Sequence, residues 1–130
     1  MIVDTSAVLA ILFTEPEAQR IADAIEDCPV CRFPASCYLE ATITLLGRHG
    51  EEGLRDLDLF MGQSRMEIAS FTETQARLAR EAFKRYGKGR HPAKLNFGDC
   101  MAYALAKDTG EELLFKGTDF AQTDIAVAAY

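Results

Sequence analysis

The 130-residue sequence predicts an α/β fold: a central parallel sheet of four to five short strands, flanked by helices on both faces. Two observations carry this. Short apolar runs of strand length ("MIVD", "VCRF", "RMEIAS", "ELLFK") alternate with longer stretches whose apolar residues recur at helical spacing. Such alternation builds parallel sheets covered on both sides. A third observation sets the organisation: no Pro/Gly/Ser-rich linker and no repeat divides the chain, so one domain over 1–130 is expected.

In order, "MIVD" reads as a short buried strand ending at Asp4, and "TSAVLAILF" continues as helix. A second helix is expected over 15–26, with Thr14 as N-cap, Glu17 three residues on, and Ala18, Ile21, Ala22 and Ile25 at helical spacing. "VCRF" is a strand ended by Pro34. From Ala35 to His49 the residues Leu39, Ile43 and Leu46 form an apolar stripe, Gly47 and Gly50 loosen its end, and a further helix is expected over 51–63. "RMEIAS" at 65–70 is a strand, after which Thr72 caps a helix from 73 to about 86 with Ala76, Ala79, Ala82 and Phe83 facing inward. A basic loop follows, then a helix opening in "NFGD", a strand at 112–116, and a last short strand around "IAVAA".

The helix in "KLNFGDCMAYALAK" is apolar almost around its circumference, from Phe97 to Ala106, yet carries Asp99 at its start. Asn96 as N-cap with Asp99 at the third helical position accounts for that acid by itself. It does not account for the others. Asp4 ends the first strand and Asp119 follows the fourth, both at carboxyl ends, where open parallel sheets bind ligands. Glu40 is one residue too late for a capping box from Ser36 and stands beside Ser36, Cys37, Thr44 and Gly47, a small-residue face open to approach. Carboxylates brought together repel and either retain protons or bind a hard cation such as Mg²⁺.

Net charge is −6, which by itself argues against a polyanionic partner. Without Asp4, Glu40, Asp99, Asp119 and Asp124 it would be −1, so much of the acidity belongs to one candidate site. "KRYGKGRHPAK" at 84–94 gathers Lys84, Arg85, Lys88, Arg90 and Lys94 with no acid, a loop suited to a phosphate backbone or simply solvated. Cys28 and Cys31 have C-x-x-C spacing but no second pair, and "CPVCRFP" leads into an extended run rather than a helix, so reduced thiols are expected. "AVLAILF" lacks a basic leader and is too short to span a bilayer; a cytoplasmic protein with no membrane association is expected.

Together "MIVDTSAVLAIL", the Glu in "PASCYLEATI", "LNFGDCMAYALAK" and "LLFKGTDFAQTDI" resemble the PIN-domain ribonucleases, specifically the VapC toxins of bacterial toxin-antitoxin pairs, from end to end. The resemblance implies a PIN-like fold whose acidic pocket binds Mg²⁺, or Mn²⁺ in its place, and hydrolyses RNA endonucleolytically through a metal-activated water. It implies Asp4 and Asp99 as principal metal ligands, Glu40 as the third acid, Asp119 as the fourth, and Asp124 at a position where many members carry a further Asp. Thr5 or Ser6 would hydrogen-bond a ligand carboxylate or cap the first helix, the cap being preferred. Partners implied are a tRNA or rRNA substrate, a second copy in a homodimer, and a small VapB-type antitoxin seated on "AVLAILF" and the 35–63 helices. Two other readings stay open: a noncatalytic PIN-fold module that binds RNA or protein, and a Mg²⁺-dependent phosphatase. The latter would need a second Asp at position 6, which is Ser.

Overall fold

The computed structural model describes residues 1–130. The chain runs β1 (Ile2–Val3), α1 (Thr5–Leu12), α2 (Ala18–Glu26), β2 (Arg32–Pro34), α3 (Ala35–Ser64), β3 (Glu67–Ala69), α4 (Glu73–Tyr86), α5 (Phe97–Thr109) and β4 (Leu113–Leu114), then a 3₁₀ turn at Phe120–Gln122. The four strands form one parallel sheet in the order β3-β2-β1-β4. The expected fifth strand is reduced to a single bridge between Leu113 and Val127.

Both residues of β1 and both of β4 are fully buried. With Phe33 of β2 they form the floor of the core, roofed by Ala7, Val8 and Ala10 of α1, Cys37, Ala41 and Leu45 of α3, and the buried run Cys100–Ala106 of α5. That run explains the almost circumferential apolarity of α5: it touches α4 on one side and the sheet and α3 on others. The central strands are short, so the chain leaves the sheet after two or three residues. Residues just past those ends, Asp4 among them, stand at the rim.

Several elements differ from expectation. Thr14 does not cap a helix: its φ of 53° is left-handed, α2 starts only at Ala18, and Glu17 pairs with Lys116 (3.1 Å), as does Glu15. The ion pairs to the distant Lys116 take the acid that a local capping box would have used. The two helices expected over 35–49 and 51–63 are joined end to end, with a break at Gly50 (φ 61°, ψ −149°), a backbone geometry that only glycine takes readily. The stripe Leu39, Ile43 and Leu46 faces outward, while Cys37, Ala41 and Leu45 face the core. On α4, Gln75, Ala82 and Tyr86 are buried, whereas Ala76 and Phe83 are exposed. Phe97, the first residue of α5, is 82% exposed rather than buried. No helix is long and apolar enough to cross a membrane.

Candidate active site

Asp4 follows β1 and is itself the N-cap of α1: its Oδ2 accepts from the Ser6 amide (2.9 Å) and the Ser6 hydroxyl (2.6 Å). The cap is therefore the acid, and Thr5 and Ser6 each serve a carboxylate instead of capping. Ser6 is fixed from behind, because its oxygen accepts from the Lys116 amide just past β4 (3.0 Å). Asp4 Oδ1 meets only the Cys37 thiol, at 3.8 Å. Asp4 is 5% exposed, and burial pushes its carboxyl above the usual range, the Ser6 contacts opposing and the Glu40 charge adding to the shift. The Cys37 thiol beneath it is pushed up by burial and by Asp4.

Asp99 is held by a reciprocal capping box: the Asn96 side chain accepts from the Asp99 amide (2.9 Å), and Asp99 Oδ2 accepts from the Asn96 amide (2.8 Å). That arrangement uses one carboxylate oxygen and leaves the other. Burial raises Asp99 to about 6 against the lowering by the Asn96 amide, with further upward pushes from Asp4, Asp119 and Glu40. Three segments far away in sequence thus act on one carboxylate.

Glu40 lies on the second turn of α3, where its Oε2 accepts from the Thr5 hydroxyl at 2.6 Å. Asp119 is exposed on the loop after β4, directly before the 3₁₀ turn. Asp124 is engaged elsewhere. It accepts from the Tyr103 hydroxyl (2.6 Å) and pairs with Lys107 (2.9 Å) and Arg85 (3.6 Å). The Tyr103 hydrogen bond, then Lys107, holds it down to about 2 although partial burial opposes them.

Among the basic residues, Lys84 pairs with Glu81 (3.0 Å) and Arg85 with Asp124. Lys88, Arg90 and Lys94 make no ion pair and line a cavity of about 510 Å³ with Gly89, His91 and Pro92. The loop is closed at its base by Lys88 N–H to Leu95 O (2.9 Å) and Leu95 N–H to Tyr86 O (3.0 Å), and Ala93 and Leu95 are fully buried beneath it. His91 packs edge-on against Tyr86 and accepts from the Ala93 amide through Nδ1 (3.1 Å).

No three His, Cys, Asp or Glu side chains are already drawn around one point as a metal cluster would require. Asp4 and Asp99 are pushed up first by burial, and the neighbouring carboxylate charges add to it. The donor set fits a hard divalent cation: all oxygen, four acids at the rim of a parallel sheet, and a Ser36 hydroxyl one turn before Glu40 that is buried without a partner. Sequence reasoning set Cys37 beside Glu40 and not under Asp4, and it missed Gly98 against Glu40; for Gly98 the available signal was a glycine inside the first turn of a helix that no cap requires.

Comparison with known proteins places the fold in a family. The PIN domain family model matches residues 1–126. A protein named Ribonuclease VapC from Mycolicibacterium smegmatis is 48% identical over 126 residues, covering 97% of this chain and 98% of its own. Ribonuclease VapC30 of Mycobacterium tuberculosis is 45% identical over 129 residues, 99% of this chain and 98% of its own. Among solved structures, M. tuberculosis VapC20, described as a sarcin-ricin loop cleaving toxin, superposes with a TM-score of 0.80 at 16% identity, over 99% of this chain and 98% of that one. A toxin-antitoxin complex from Klebsiella pneumoniae gives 0.74 at 22% identity, over 99% and 97%. With the fold and full-length kinship in agreement, this chain belongs to the PIN-domain family, among its VapC members.

Proposed function

We propose that this chain is the toxin of a VapBC-type pair, an endoribonuclease dependent on a divalent cation, Mg²⁺ or Mn²⁺, and inhibited by its antitoxin. The observation that carries it is the full-length kinship with proteins named Ribonuclease VapC, at 48% identity for one of them, joined to an Asp99 carboxylate on which Asp4, Asp119 and Glu40 all bear. A divalent cation supplies two things to phosphodiester hydrolysis when bound: polarisation of a phosphoryl oxygen and a nucleophile available at neutral pH. The rest falls to the chain's own residues.

Asp4, Asp99, Glu40 and Asp119 are the residues that would hold the cation. Ser6 occupies Asp4 Oδ2, so Oδ1 is the oxygen Asp4 offers, and the capping box similarly commits Asp99 Oδ2. Thr5 holds Glu40 Oε2, so Oε1 is the oxygen Glu40 would offer, to the cation or as general base to a water beside it. Asp124, committed to Tyr103, Lys107 and Arg85, ties α5 to the C-terminal segment and stands outside the set. Lys88, Arg90 and Lys94 hold the RNA backbone beside the acids. A VapB-type antitoxin is the inhibitory partner: relatives of this fold include a VapBC pair from Salmonella typhimurium and VapBC2 from Rickettsia felis, both described as bound to DNA. The outward stripe Leu39, Ile43 and Leu46 of α3 offers it apolar surface, whereas Ala7, Val8 and Ala10 of α1 are core.

The test is cleavage of a panel of tRNAs and rRNA fragments by antitoxin-free protein, with Mg²⁺, Mn²⁺ or EDTA. The wild type cuts at least one RNA only when the cation is present, and Asp99→Asn lowers that rate by about 100-fold or more. Folded wild-type protein that cuts nothing, or an Asp99→Asn variant that cuts equally well, overturns the reading and favours a noncatalytic binding module.

A further inference from the structure

Gly98 is the second residue of α5, between the exposed Phe97 and Asp99. Its φ is not positive, so no turn demands a glycine there, and alanine would favour the helix. A Cβ at this position would stand 3.1 and 3.2 Å from Oε2 and Oε1 of Glu40 and 3.4 Å from the carboxyl carbon, the three nearest atoms all belonging to Glu40. A methyl there would push the Glu40 carboxylate back by a few tenths of an ångström. On the other side, the Thr5 hydroxyl reaches Oε2 at 2.6 Å. A glutamate on an exposed helix face has three free torsions and would otherwise sample many positions.

We propose that Gly98 is a positioning residue for Glu40: by presenting no side chain it lets the carboxylate lie against the first turn of α5, with Thr5 fixing it from α1. The interhelix gap at Gly98 then sets how far the third acid stands from Asp4 and Asp99. The inference rests on the cation-dependent nuclease reading and assigns a role that reading does not contain.

The obvious variant, Gly98→Ala, separates function from stability. Its Tm equals or exceeds that of the wild type, because the helix gains and the displaced neighbour is the flexible end of a side chain. Mn²⁺ affinity, measured by calorimetry on the full chain, and single-turnover RNA cleavage both fall about tenfold. In a Glu40→Ala background, adding Gly98→Ala changes neither, since no carboxylate remains to displace. Thr5→Val is the companion variant; it leaves α5 untouched, and its effect also vanishes when Glu40 is absent. Equal Mn²⁺ affinity and cleavage for Gly98→Ala and wild type overturn the inference, as does a loss of the same size in the Glu40→Ala background. Should Gly98→Ala not fold, a Thr5→Val loss that persists without Glu40 overturns it instead. A wild type that neither binds Mn²⁺ nor cleaves RNA fails at the earlier step and removes the nuclease reading itself.

Discussion

Asp99 answers to two demands at once. As the third residue of α5 it closes a capping box, and as a half-buried carboxylate beside three other acids it is raised to about 6. Between the unfolded value near 4 and the folded value near 6 the native state binds more protons, so this group's contribution to stability is greatest at low pH and is lost as pH rises through that window. The cation-free protein is therefore expected to gain Tm on going from pH 7 to pH 5, a trend that Asp99→Asn weakens, the raised Asp4 supplying the remainder, and that saturating Mn²⁺ also weakens, as differential scanning calorimetry would register. Mn²⁺ affinity should run the other way and fall as pH drops below about 6, because the ion needs the charged form. At this scale much was legible in the sequence. Asn96 and Asp99 show their capping relation by spacing alone, and Glu40 betrays itself by missing one. Thr5, Ser6 and Gly98 were harder, because their roles depend on distances between helices: Thr5 and Gly98 act on an acid 35 and 58 positions away.

Among the elements, α3 is the one whose course the sequence left most open. Gly47 and Gly50 both suggested an ending, yet only Gly50 has a left-handed φ, while Gly47 is ordinary helix with open space around its Cβ direction. The two glycines should respond oppositely to the same change. Gly50→Ala is expected to cost about 1–3 kcal/mol through strain at a glycine-only geometry. Gly47→Ala should add up to about 1 kcal/mol of helix propensity. Urea denaturation of the two variants measures both. The start of α2 was misread for a related reason. Thr14 and Glu17 have the spacing of a capping box, but the ion pairs from Lys116 to Glu15 and Glu17 make the chain continue past Thr14 before turning into helix. Local spacing is outweighed there by charges brought from the opposite end of the chain. The four strands of the sheet were located well because their apolar runs are short and bounded, the expected fifth being only a bridge at Val127, and the parallel order followed from alternation.

For the whole molecule, the charge pattern matters more than its sum. Asp4, Glu40 and Asp119 all bear on Asp99, while Lys88, Arg90 and Lys94 remain without acidic partners on the loop, closed at its base, that leads into α5. Replacing these three by alanine is expected to weaken RNA binding most at low salt. It should reduce the slope of log K against log salt by about 2, at about 0.7 for each single-strand phosphate that is no longer neutralised, while leaving Tm unchanged. A fluorescence-anisotropy salt series would show it; an unchanged slope would place the RNA elsewhere. Lys84 and Arg85 should contribute less, since Glu81 and Asp124 already neutralise them. The sequence displayed all five cations alike, and only the fold shows which are spent internally. It likewise hid that Leu39, Ile43 and Leu46 look outward with Phe71, Phe83 and Phe97, because apolar periodicity reports a face and not what the face meets.

The reciprocal bonds between Asn96 and Asp99 also decide how such a chain can be handled in the laboratory. A host producing an enzyme that cuts its RNA selects against it, so the form that accumulates must be disarmed without being unfolded. Asparagine at position 99 keeps an acceptor oxygen for the Asn96 amide while giving up the charge, whereas alanine would open the helix start at a cost of about 1 kcal/mol. Asp99→Asn protein thus retains the native outer surface and can be overproduced, isotopically labelled and used as bait to capture the antitoxin from its own cells.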